Sequence, residues 1–319
     1  MRALIRICLY LGIWRAASVL LDLLLIPSLA GVYRSLITSP VPWLERALHF
    51  LIYLIVTLLV TWAAARGVDR RPVADLGLEL SRRWWVELVV GLALGLLLMS
   101  VVFVVLWLAG WVEVTRYFAV NLPTLPFAVA LLGPLLAFTV IGIVEEIVFR
   151  GYFLRNAAEG LRGALGGPAA AVVGAWLITS LLFSFFHVFN PNSTWVSTTN
   201  LAVAGFLLGL PVVLTHRLGL AIGLHITWNF AQGTLFGFRV SGNEFSGVTL
   251  IQTRATGPVW WTGGDFGPEA GLLGLLAMSL GCLLIAGWLW LCDRSITIQP
   301  ALALPAPDLH PATAKESNS

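Results

Sequence analysis

The sequence predicts an all-α fold, a polytopic bundle of about eight apolar helices that cross a bilayer. Apolar residues make up 58% of the 319 and charged residues 11%, where a soluble domain carries roughly 25% charged. The mean hydropathy is +0.89. The apolar residues also fall in uninterrupted runs of ~20, the length that crosses ~30 Å of hydrocarbon. The net charge of +3 is small and its arginines lie mainly between the runs. That is a pattern of membrane orientation, not of nucleic-acid binding. Cys8, Cys282 and Cys292 show no C-x-x-C spacing, so they form neither a disulfide framework nor a zinc knuckle.

The first run, 3–29, follows Arg2 and Arg6 with no small-residue cleavage site and reads as a retained helix. Arg15 and Asp22, seven apart, share one of its faces, which suits a partly interfacial element. Further helices are expected at 47–65, 85–110, 127–153, 169–189, 199–215, 219–237 and 270–292. The break at 66–83 holds Arg66, Arg70, Arg71, Arg82 and Arg83 against Asp69, Asp75 and Glu79. Arginine excess places such a loop in the cytoplasm. Alternation then puts Arg155, Arg162, Arg217, Arg294 and both termini inside, in a multi-pass protein of the bacterial inner (plasma) membrane. Loops 30–46, 111–126, 190–198 and 238–269 fall outside. The last of these contains Gly257-Pro258-Val259-Trp260-Trp261, whose tryptophans suit a membrane–water interface. Residues 1–293 form the bundle, and the proline-containing polar tail 294–319 is predicted to be disordered. There is no internal repeat and no second domain.

Ionisable groups inside a membrane helix cost about 2.5–3.5 kcal/mol each on insertion scales and are functional candidates. Glu145 and Glu146 follow 19 residues (126–144) without a charge. Glu146 and Arg150, four apart, lie within ion-pair reach. Glu145 points ~100° away, so the two carboxylates have different tasks and Glu145 is free to face a cavity. A purely structural ion pair explains Glu146 and Arg150 equally well. The fifth helix carries Phe183 and His187, and the seventh carries His225 and Asn229 on one face. A lone histidine in an apolar helix is more often a satisfied core residue. Two histidines, an asparagine and a glutamate pair converging in a bundle could deprotonate a water, alone or through a divalent metal. Glu145, His187 and His225 would be the ligands of such a metal, with zinc the natural candidate. Against that, no i, i+4 histidine pair preforms the site, and Asn229 suits an oxyanion donor better than a ligand.

Glu145-Glu146-x-x-x-Arg150, then Phe183-x-x-x-His187, then His225-x-x-x-Asn229, on three successive polar-marked helices, resembles the CAAX protease and bacteriocin-processing (CPBP, or Abi) family of intramembrane endopeptidases. The type II CAAX prenyl endopeptidase is a member. The matching core spans about 127–237, and Asp75-Leu76-Gly77-Leu78 is also similar to bacterial members. The resemblance implies an eight-helix bundle in which Glu145 and His187 activate a water, while His225 and Asn229 act around the scissile carbonyl. Glu146, Arg150 and Phe183 support them. It implies a membrane-associated peptide or protein substrate, whose identity the sequence does not give. Other intramembrane protease classes fit worse, since there is no H-E-x-x-H, no pair of intramembrane aspartates and no G-x-S. A non-catalytic scaffold or immunity-type protein on the same fold and a small proton-coupled transporter are the rival readings. One tension is built into the predicted spans. His187 ends its helix and His225 begins its own, a depth difference of ~15–20 Å unless the sixth and seventh helices are recessed.

Overall fold

The computed structural model describes residues 2–36, 42–120, 126–245 and 247–305, without the side chains of 2, 21, 22 and 24–47. Asp22 therefore lies outside the described residues as a side chain. The helices are α1 (Arg2–Leu36), α2 (Pro42–Ala63) and α3 (Arg82–Leu108). α4 (Phe127–Leu161), α5 (Pro168–Phe186) and α6 (Trp195–Thr215) follow. α7 (Gly219–Phe230) and α8 (Leu272–Asp293) complete the bundle. The chain is an integral multi-pass membrane protein with a polytopic helical fold. Among the described residues, seven helices are long and apolar enough to cross a membrane. The expected eighth, α7, has only 12 helical residues and then a π-helical turn, Ala231–Leu235.

Three expectations need correction. The break foreseen at 30–46 is helical to Leu36 and again from Pro42, a first helical position that proline's fixed φ suits. The regions read as plain loops at 111–126 and 238–269 supply two strands, β1 (Val112–Val120) and β2 (Val248–Ala255), paired antiparallel. Val112-Glu113-Val114-Thr115 carries the period-2 alternation that strands require. The tail is also not wholly free. Gln299 donates its backbone N–H to Val213 (2.8 Å), Arg155 donates to the Leu302 carbonyl (2.8 Å), and Leu302 and Ala303 are buried against α4, α5 and α6. Leucine and alanine there recover enough apolar burial to hold a segment that proline content marked as disordered. Residues 306–319 lie outside the described residues.

α7 is almost entirely buried because it lies against α3 at backbone distance. A Cβ on Gly91 would stand 2.2 Å from the Leu220 carbonyl oxygen, and one on Gly223 would stand 2.2 Å from that of Leu88. Gly91 and Gly95 on α3 face Gly219 and Gly223 on α7, a small-residue seam on both helices of the kind that lets membrane helices pack closely. The seam sets α7 parallel to α3 with Gly219 level with Trp84. This recesses α7 within the bundle and fixes the height at which it presents His225 and Asn229.

The arginine-rich end is tied by buried ion pairs rather than left as a solvated loop. Asp75 accepts from Arg71 (3.0 Å) and Arg155 (3.0 Å), Asp69 pairs with Arg6 (3.3 Å), and Arg71 also meets Glu159. The Gly77 carbonyl accepts from the Trp84 indole (3.0 Å) and from Leu218 N–H (3.0 Å). The Asp75–Leu78 stretch thus ties α3, α4 and the α6–α7 turn together. His216 in that turn meets the Asp75 carbonyl at 2.9 Å, and burial holds its imidazole below the usual histidine range.

Candidate active site

The site begins with two local departures from α-helical geometry. Directly after Glu145 and Glu146, α4 widens into a π turn over Ile147–Phe153, all of it buried. α7 widens likewise after Asn229, over Ala231–Leu235. Such insertions concentrate at functional sites, since they re-aim side chains without breaking the helix.

Glu146 is fully buried and its Oε1 accepts from two directions: Arg150 Nη1 at 3.0 Å and His225 Nδ1 at 2.8 Å. Arg150 also donates to the Gly205 carbonyl on α6 (3.3 Å) and lies 4.3 Å over the Phe183 ring. One arginine and one glutamate therefore join α4, α5, α6 and α7. The Glu146–Arg150 spacing was legible; the bond from His225 was not, because it depends on the height of α7. With Nδ1–H given to Glu146, His225 presents Nε2 outward, 3.8 Å from Glu145 Oε2. That gap is too long for a direct hydrogen bond, and a water beside the pair can reach both atoms. Glu145 Oε2 is buried and accepts no hydrogen bond within the protein.

His187 caps the end of α5, and its Nδ1 meets the Phe183 carbonyl at 2.7 Å, which turns Nε2 away from the helix. Phe183 stands between the histidines, its ring 4.7 Å from His187 and 6.2 Å from His225 by centroids. The depth conflict is settled by this geometry. α7 is recessed, and an elongated cavity of about 310 Å³ is lined by Glu145, Phe183, His187, His225 and Asn229 together. The structure brings all of the predicted residues to one place, with Glu146 and Arg150 packed behind the wall. It sets Glu145 beside His225, however, while His187 makes no ion pair with Glu145 among the described residues. Glu269, Asn190 and Ser241 also line the cavity. They come from connections whose position in space no helical spacing reveals.

Among the described residues no group of three His, Cys, Asp or Glu side chains is gathered to hold a divalent metal. His225 and His187 each engage Nδ1, with the Glu146 carboxylate and the Phe183 carbonyl respectively, which leaves both Nε2 atoms open.

The class defined so far is a polytopic membrane helix bundle that encloses a glutamate, two histidines and an asparagine in one cavity. The family model described as type II CAAX prenyl endopeptidase Rce1-like matches residues 126–231. That segment is a third of the chain, and the match is consistent with the resemblance to the CPBP type. It runs from the start of α4 to the end of α7 and contains Glu145, Glu146, Arg150, Phe183, His187, His225 and Asn229. Neither the comparison with curated proteins nor that with solved structures found a match.

Proposed function

We propose that the chain is an intramembrane endopeptidase that hydrolyses a peptide bond with a water activated inside the bundle, without a metal. The observation that carries this reading is the buried, unpartnered Glu145 Oε2 facing His225 Nε2 across 3.8 Å in the cavity. A carboxylate oxygen with no protein donor is free to take a proton from a water held beside it and the imidazole. Glu146 also keeps an oxygen, Oε2, without a protein donor, but it does not line the cavity, and its Oε1 is held by Arg150 and His225. It acts on His225 instead, fixing the ring so that Nε2 meets water or substrate. Asn229, one turn beyond His225, is placed to donate its amide to the developing oxyanion. His187, which lines the same cavity with its Nδ1 engaged by the Phe183 carbonyl, serves the departing amine through Nε2.

The arginine-rich end, with both termini, faces the cytoplasm of a bacterial inner membrane in this reading, following the arginine excess. The substrate is a membrane-associated peptide or protein. A scaffold on the same fold has no use for an unpartnered carboxylate buried beside a histidine, since such a group costs stability. Membrane proteomics that compares wild type with Glu145→Ala tests the assignment. At least one membrane protein is expected to accumulate uncut in the variant. Identical peptide termini in the two membranes would favour the scaffold.

A further inference from the structure

The connection between α7 and α8 places in the cavity an acid that the proposed chemistry does not use. Glu269 sits in the turn Pro268–Ala270 just before α8, is 3% exposed, and lines the same cavity as Glu145, His187 and Asn229. It lies outside the family match, which ends at residue 231. Its position is built rather than incidental. It accepts the backbone N–H of Ser241 and a hydrogen bond from the Gln232 side chain. Gly267 lets the turn press inward at φ +117°, where a Cβ would stand 2.2 Å from the Arg239 carbonyl oxygen.

What Glu269 lacks is a close ion-pair partner, since His187, the histidine that acts on it electrostatically, makes no ion pair with it among the described residues. Among the described residues no arginine or histidine nitrogen makes an ion pair with it. Arg239 turns instead to Glu244 (3.8 Å) and Asp265 (4.0 Å). The Asn190 and Asn243 amides each donate to the Ser241 carbonyl, at 2.9 and 3.2 Å. Burial pushes the Glu269 carboxyl up, against the pull of its hydrogen bonds from Ser241 and Gln232 and of the His187 imidazole. A carboxylate held from water without a directly bonded cation is costly, and an arriving ammonium or guanidinium relieves that cost.

We infer that Glu269 determines the specificity of this cavity, receiving the ammonium or guanidinium of a lysine or arginine that the substrate carries beside the scissile bond. The inference rests on the endopeptidase reading and adds a substrate class to it, a peptide with a basic residue near the cut.

The test uses the full chain in lipid nanodiscs and a mixed-sequence library of internally quenched, N-acetylated peptides. Library members are paired so that lysine is exchanged for norleucine and arginine for citrulline. A further set has a free amino terminus and no basic side chain. Wild type is expected to favour the basic member by about tenfold or more in kcat/KM, the scale of a charge-assisted hydrogen bond. In Glu269→Gln that ratio is expected to fall to near one. Glutamine still accepts the Ser241 N–H, so the turn is preserved, and a ratio taken within one preparation cancels any unfolded fraction. A wild-type ratio near one overturns the inference. So does a ratio that survives in Glu269→Gln, or a preference that follows the free amino terminus. Each of these outcomes leaves the endopeptidase reading standing, whereas a wild type that cuts no peptide removes both.

Discussion

Glu145→Gln is expected to abolish peptide hydrolysis while thermal unfolding in detergent stays at the wild-type temperature. The rate should fall by about 10²–10⁴-fold, the usual contribution of a positioned general base. Glutamine has almost the same shape and cannot accept the water's proton. Stability should not follow, because the buried Oε2 accepts no hydrogen bond in the protein that the change could break. Initial rates on a cleaved peptide and a melting curve on the same preparation check both halves. An active Glu145→Gln would move the base elsewhere.

Arg150→Ala is expected to act the other way, on the protein before the chemistry. Glu146 would be left buried with its charge uncompensated, and losing one partner of a buried pair costs about 3–5 kcal/mol. The Gly205 carbonyl would lose its donor, and Phe183 the cation 4.3 Å from its ring. His225 would then hang on a carboxylate no longer anchored to α6. Little Arg150→Ala should accumulate in membranes, and what does should unfold well below wild type. Normal amounts with an unchanged melting temperature would mean that the Glu146–Arg150 pair holds nothing.

The parts of this molecule that were legible in the sequence are those fixed by spacing along one helix. Apolar runs located the helices, a four-residue step paired Glu146 with Arg150, and the same step put Asn229 on the face of His225. Features that depend on how helices meet were not legible. The Glu146–His225 bond requires α7 to be recessed, and that follows from glycines on two helices matching across a seam at Gly91, Gly95, Gly219 and Gly223. Each glycine alone reads as a flexible point in an apolar run. Glu269 was missed for a related reason, since an acid just ahead of a final apolar run looks like an ordinary helix start. Its burial depends on a turn around Gly267. The tail segment 299–303 was misjudged because proline content outweighed Leu302 and Ala303, which find a waiting apolar slot between α4, α5 and α6.

The central claim, that this bundle uses water to cut peptide bonds, has one direct measurement. The purified chain in lipid nanodiscs is incubated with mixed-sequence peptides in ¹⁸O-enriched water, and the products are read by mass spectrometry. The account predicts new carboxyl termini that carry ¹⁸O in wild-type reactions and none above background with Glu145→Gln. Wild-type reactions with no new termini, or equal labelling by the two proteins, would contradict it.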